Sequence, residues 1–265
     1  VYSPLLYGVD RLLFFFTRPS DATARLLPAL AGALLIAMPG FARSLLGRVG
    51  ALVVAALLAF APAWVYFSRV ADGAILTSLA GAALLLSASR FMRSGEPRDL
   101  RLAAVALGLG LAAGPGLYTL LLAAAGYGAI GLLTHGRDRL RRRRWLRQAR
   151  AAASRENLLI CAGVFVLVAS GFFTNPHGIL TSLRMAGQWA VQLAPAASAM
   201  PWHAGLRTLA IYEHLTILLA LAGTVCALRR RSAVDGFILF WALFALLLSV
   251  ALGHRQARWL PDVLL

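Results

Sequence analysis

Apolar residues run along this chain in eight stretches, at about 22–40, 49–67, 71–89, 101–114, 117–134, 157–174, 207–228 and 233–253, separated by joints rich in arginine, glycine and proline. A helix needs roughly 20 residues to cross the hydrocarbon of a bilayer, and most of these stretches approach that length. The stretch at 101–114 is the shortest. The pattern predicts an all-α, polytopic bundle of transmembrane helices with about eight spans, forming a single domain over 1–265. Ahead of the first stretch, Leu5, Leu6, Val9, Leu12, Leu13 and Phe16 recur at helical spacing, with Asp10 and Arg11 interrupting. That is the pattern of a helix lying in the membrane interface, here over 1–20, and Pro4 suits its first turn. Ser20 and Asp21 then read as the start of the helix that enters the first span.

Composition narrows the class further. The chain is 60% hydrophobic and only 14% charged over 265 residues, with a mean hydropathy of +0.75. A water-soluble fold would have nowhere to bury so much apolar surface. All 26 basic residues are arginine. Most of them fall in alternate joints: Arg43 and Arg48, then Arg90 to Arg101, then Arg137 to Arg155, then Arg229 to Arg231. By the positive-inside rule those joints are cytoplasmic, so 135–156 is an Arg-rich cytoplasmic loop and both ends of the chain lie outside. The formal net charge of +16 would suggest nucleic acid in a soluble protein. In a membrane protein it belongs to topology and to lipid headgroups, and no nucleic-acid partner is expected. The absence of lysine beside abundant alanine, glycine and leucine matches a GC-rich genome, and a prokaryotic plasma membrane is the expected setting.

Cys161 and Cys226 sit inside apolar stretches without CxxC spacing, which argues against a disulfide framework or a cysteine metal site. Because the sequence opens at Val1 and closes in an apolar run, a piece of a longer protein is expected, lacking a first span and a first outer loop.

The outer joints hold the candidate chemistry. At Ser68-Arg69-Val70-Ala71-Asp72-Gly73, the opposite charges Arg69 and Asp72 stand three apart at the membrane surface. They read either as a local ion pair fixing a hairpin or as part of a site. Gly114-Pro115-Gly116 is a turn. The longest joint, 175–206, contains Trp189 and closes on Trp202 and His203 shortly before Tyr212 and Glu213. A loop of that size is long enough to cap a cavity, whereas an interfacial aromatic belt explains the tryptophans but not Glu213. His177, His203, His214 and His254 also fall on this face, yet their spacings match no metal-ligand motif.

The order of short motifs carries a resemblance. An interfacial Pro4-Leu5-Leu6-Tyr7 precedes Ala24-Arg25-Leu26-Leu27-Pro28-Ala29-Leu30-Ala31-Gly32 and Leu46-Gly47-Arg48-Val49-Gly50-Ala51-Leu52. Pro62, Ser68-Arg69 and Asp72 follow, then Phe172-Phe173-Thr174-Asn175-Pro176, Pro201-Trp202, Tyr212-Glu213 and Arg258-Trp259-Leu260. This order resembles the GT-C superfamily of polytopic membrane glycosyltransferases, of the protein mannosyltransferase and aminoarabinose transferase type. More narrowly it is similar to the flippase-activity-associated branch of prokaryotic glycosylation proteins.

The resemblance implies transfer of a sugar from a polyprenyl-phosphate carrier to a glycan or protein acceptor on the outer face. Asp72 would be catalytic, and Arg69, Arg25 and Arg184 would bind the lipid phosphate. Trp189, Trp202, His203, Tyr212 and Glu213 would line the substrate cavity, and a divalent metal ion is the one cofactor implied. The family's principal acidic residue precedes the interfacial helix, outside this sequence, and Gly114-Pro115-Gly116 stands where some members carry a lysine. A non-catalytic membrane protein that assists flipping or handling of lipid-linked glycans is the alternative. A secondary transporter has less behind it, since no internal repeat or paired broken helices are visible.

Overall fold

Helix starts in the computed structural model fall where the sequence supplies caps. The hydroxyl of Ser3 accepts from the Leu6 N–H at 3.3 Å, Ser20 and Thr23 form a reciprocal capping box, and Ser154 accepts from the Asn157 N–H at 3.4 Å. Pro4, Pro62 and Pro97 occupy first turns, where a missing N–H costs nothing. The structure describes residues 3–134, 139–193, 207, 210–230 and 233–251.

The helices are α1 (Pro4–Phe16), α2 (Asp21–Ala24), α3 (Leu26–Phe41), α4 (Arg43–Phe60), α5 (Pro62–Arg69), α6 (Ala74–Ser94) and α7 (Pro97–Ala113). They continue with α8 (Gly116–Thr134), α9 (Arg139–Ala152), α10 (Arg155–Ala169), α11 (His177–Gln192), α12 (His214–Arg230) and α13 (Ala233–Ala251). No strand occurs among the described residues. The all-α expectation therefore holds.

The expectation of eight spans does not. Among the described residues, four helices are long and apolar enough to cross a membrane: Asp21–Phe41, Arg43–Phe60, Ala74–Ser94 and Gly116–Leu133. The pair Leu146–Ala152 and Arg155–Ala169, bent by 45°, would make a fifth. The stretch at 49–67 crosses as α4 only as far as Phe60, because Ala61 turns extended (φ −64, ψ 123) and Pro62 opens a separate helix. Two of the stretches that fall short do so for local reasons. Helix α7 has 17 residues and begins with Arg98, Asp99 and Arg101. The stretch at 207–228 resolves into the 17-residue α12, which starts only at His214.

Helices α6 and α7 form an antiparallel hairpin. At one end a Cβ on Gly73 would collide with the Ala113 carbonyl, and at the other the Ser94 hydroxyl donates to Asp99 Oδ2 at 3.0 Å. Helix α10 runs parallel to α7, with Arg101 and Glu156 3.7 Å apart at the starts and Ala112 packed with Val168 and Ala169 at the ends. Small residues let these backbones approach, since a Cβ on Gly108 would lie 2.7 Å from the Cys161 carbonyl. Helix α13 packs on α8 through Phe240 against Gly126 and Trp241 against Leu120.

The bundle thus has two ends. The first end gathers α1, α2, α5, the start of α6 and the end of α7. The second gathers the α3–α4 and α6–α7 joints. Leu35, Trp64, Phe67, Ile75 and Leu76 form the core beneath the first end. The expected interfacial segment 1–20 folds as α1, packed against α7, α10 and α11. Within the expected outer loop 175–206 the chain folds as α11, and within the expected Arg-rich loop 135–156 it folds as α9.

Candidate functional site

The side chains of α5 divide the helix into two faces. Trp64 and Phe67 are buried at 4% and 5% exposure in the core, while Pro62, Val65, Tyr66 and Arg69, at i, i+3, i+4 and i+7, line a cavity of about 680 Å³. Its other walls are Asp21, Ala24 and Arg25 from the start of the first span, Phe60 from the end of α4, and Val70 and Ala71. Two local features put Arg25 opposite Arg69. The Ser20–Thr23 capping box winds a single turn that ends at Arg25, and Gly32 admits α5 so closely that a Cβ there would stand 2.7 Å from Ser68 Cβ. Tyr66 and Phe60 are exposed at 61% and 81%, so the cavity's rim is aromatic.

Both guanidiniums are exposed, and no carboxylate among the described residues holds either one within ion-pair distance. Asp21 shares the lining without pairing. Two guanidiniums without a carboxylate partner among the described residues, beside an aromatic rim, have the chemistry to hold an anionic group.

The Arg69–Asp72 ion pair, one of the two readings of that joint, is not made. The helix stops at Val70, which turns extended (φ −96, ψ 138), so the two side chains lose the proximity that three helical residues would give them. Asp72 is half-buried and instead accepts from the Gly73 N–H at 2.6 Å through Oδ1. It stands one residue beyond the lining, which ends at Ala71.

Glu213 is buried at 3% exposure, and both of its oxygens are taken. Oε1 accepts from the Ala63 N–H at 2.9 Å and Oε2 from the Thr216 hydroxyl at 2.8 Å. A carboxylate at the second residue of α5 satisfies an orphan donor and meets the positive end of the helix dipole. Glu213 therefore positions the helix that carries Arg69 and does not line the cavity.

The remaining expected site residues are dispersed. Trp189 Nε1 donates to Thr119 Oγ1 at 3.2 Å and its ring tilts against Tyr118 at 5.7 Å, which anchors α11 to α8. Arg184 is exposed on α11 and outside the cavity. Tyr212 is 63% exposed. Trp202 and His203 lie outside the described residues. Among the described residues no three His, Cys, Asp or Glu side chains stand close enough together to hold a metal ion. The cavity offers Asp21 alone as a carboxylate donor, so its lining does not fit the implied divalent ion, which takes several hard oxygen ligands.

No family model, curated protein or solved structure matches the chain.

Of the lining, the sequence singles out only Arg25 and Arg69 for a site; Asp21, Phe60 and Tyr66 are among those it misses. The signal for Tyr66 exists, because the spacing of Pro62, Val65, Tyr66 and Arg69 marks one helical face. Asp10 likewise does not stand out in the linear chain. Its Oδ1 is buried without a partner, and desolvation raises the carboxyl from 3.8 to about 6.

Proposed function

We propose that this chain is a membrane glycosyltransferase that moves a sugar from a polyprenyl-phosphate carrier to an acceptor, with the carrier phosphate held between Arg25 and Arg69. The observation that carries the reading is their convergence on one cavity at the end of the bundle, with no carboxylate partner among the described residues. The GT-C-like order of motifs supports the same assignment. A carrier reaching the cavity from the bilayer presents an anion at membrane-surface depth, where two guanidiniums bind phosphate in bidentate fashion.

In the proposed inverting step, an acceptor hydroxyl oxygen attacks the anomeric carbon. The bond from that carbon to the lipid phosphate oxygen breaks, the phosphate leaves with the electron pair, and the hydroxyl proton passes to a carboxylate. Negative charge grows on the phosphate during this step, so fixed cations stabilise the transition state more than the ground state. Asp72 orients the acceptor at the cavity's edge, and Asp21 is the carboxylate on the lining itself.

A second reading, non-catalytic flipping or handling of a lipid-linked glycan, is favoured by one observation: Asp72 spends Oδ1 on its own neighbour's N–H and stays off the lining. Purified protein in lipid, given a panel of radiolabelled polyprenyl-phosphate sugars, separates the two. Arg25→Ala and Arg69→Ala should each reduce transfer by about 100-fold, the usual effect of removing one preorganised charge-stabilising donor. Asp72→Asn should abolish transfer with folding retained. Undiminished transfer in the Arg25→Ala/Arg69→Ala double variant would overturn the site. Tight carrier binding without turnover by the wild type would establish the second reading.

A further inference from the structure

We propose that a second cavity, at the opposite end of the bundle, binds the phosphate of an anionic lipid headgroup. This cavity, of about 480 Å³, lies where the α3–α4 joint meets the α6–α7 joint, and Arg90, Arg93 and Arg98 line it together with Ser44 and Ser94.

Two of the three guanidiniums are pinned before any ligand arrives. Arg90 donates to the Phe41 carbonyl at 2.6 Å and Arg93 donates to the Ser44 carbonyl at 3.1 Å. Phe41 ends α3, where carbonyls lack an intrahelical partner, and Ser44 stands three residues before Gly47, whose non-helical backbone (φ 74, ψ 172) breaks α4 just after its first turn. A guanidinium has five N–H donors, so each pinned arginine keeps most of its donors for a ligand, with its side chain already ordered. Preorganisation of this kind lowers the entropic cost of binding. Arg98 is exposed and makes no ion pair with a described side chain.

Two carboxylates share the lining. Asp99 is buried at 7% exposure and its Oδ2 is occupied by the Ser94 hydroxyl at 3.0 Å. Glu96 is exposed. Neither holds an arginine of the cavity within ion-pair distance. The lining is therefore net positive.

The rim decides between a lipid and a free anion. Phe41, Met92 and Leu102 are exposed at 62%, 46% and 44% near the arginines, and the other exposed positions of α3, among them Leu30, Leu34 and Ile36, are apolar as well. A headgroup phosphate in the cavity would leave acyl chains against that surface, whereas inorganic phosphate would gain nothing from it.

The test titrates phosphatidylglycerol, phosphatidylcholine and inorganic phosphate into the detergent-solubilised chain, with bound lipid counted by native mass spectrometry and the melting temperature followed in parallel. Phosphatidylglycerol should bind and raise the melting temperature, and Arg98→Gln should weaken it about tenfold, the loss of one charge-assisted contact. Arg93→Gln/Arg98→Gln should weaken it further. Arg98→Gln alone keeps the experiment decisive should loss of the Arg93 contact to Ser44 impair folding. Arg147→Gln/Arg150→Gln, which removes two arginines of α9, serves as the control and should bind like the wild type. An equal loss in that control, no loss in the Arg98 variant, or a shift with inorganic phosphate equal to that with phosphatidylglycerol would each overturn the proposal.

Discussion

Asp10 illustrates what a single residue can hide from a sequence. In the linear chain it interrupts an apolar stripe and reads as the solvated face of an interfacial helix. In the fold, α1 is pressed against α7, α10 and α11, and Asp10 Oδ1 loses water without gaining a donor. Its carboxyl rises to about 6 by desolvation alone. Because the folded pKa lies above the unfolded value of 3.8, the folded state binds the proton more tightly. The contribution of this residue to stability is then greatest below about pH 4, falls as pH rises through 4 to 6, and is flat above. Asp10→Asn should remove that slope, as measured by thermal unfolding in detergent across pH 4 to 8. Wild-type and variant curves of identical slope between pH 4 and 6 would contradict the assignment. Arg25 and Arg69 are marked in the sequence as candidate phosphate ligands by the order of motifs that resembles GT-C proteins, and the fold brings both to one cavity. That Arg184 stands apart from them is not legible, since which helix faces meet is settled by packing.

At the scale of elements, α5 is the unit on which the site depends. The sequence between Phe60 and Asp72 reads as the end of one span and a tight joint, and only Pro62 marks the break. What the periodicity cannot reveal is that a residue 150 positions away holds the new helix. Glu213 is legible as a buried acid of consequence, but its partner is a backbone N–H, and backbone donors leave no trace in composition. Removing the carboxylate would strand the Ala63 N–H and the Thr216 hydroxyl in a buried setting. Glu213→Ala should therefore cost about 2 kcal/mol of stability, and Glu213→Gln less, because the amide oxygen still accepts from Ala63. Carrier binding should weaken in the alanine variant although no cation has been removed, since α5 then loses its anchor. An unchanged melting temperature together with unchanged binding would show that α5 is held by its buried Trp64 and Phe67 face alone.

For the whole molecule, the apolar pattern predicts the all-α class, while among the described residues four helices, or five with the bent pair, are long and apolar enough to cross instead of eight. Apolar content does not reveal where a helix starts and stops: α7 has 17 residues with Arg98, Asp99 and Arg101 in its first turns, and α12 starts only at His214. The geometry nonetheless separates two charged cavities along the bundle axis. Helix α3 has 16 residues and α6 has 21, which at 1.5 Å per residue gives about 24 Å and about 32 Å. The hydrocarbon core is about 30 Å thick. Cavities at opposite ends of these helices should thus open to opposite faces of the membrane. Cysteines introduced singly at Ser20 or His177 and at Ser44 or Ser94, in a background without Cys161 and Cys226, make this testable with a membrane-impermeant maleimide. Ser20 and His177 should label from one face and Ser44 and Ser94 from the other. By the arginine bias of the joints, the second face should be the cytoplasmic one. Labelling of both sets from a single face would mean that α3 and α6 do not cross, and that the two arginine cavities compete for the same lipid leaflet.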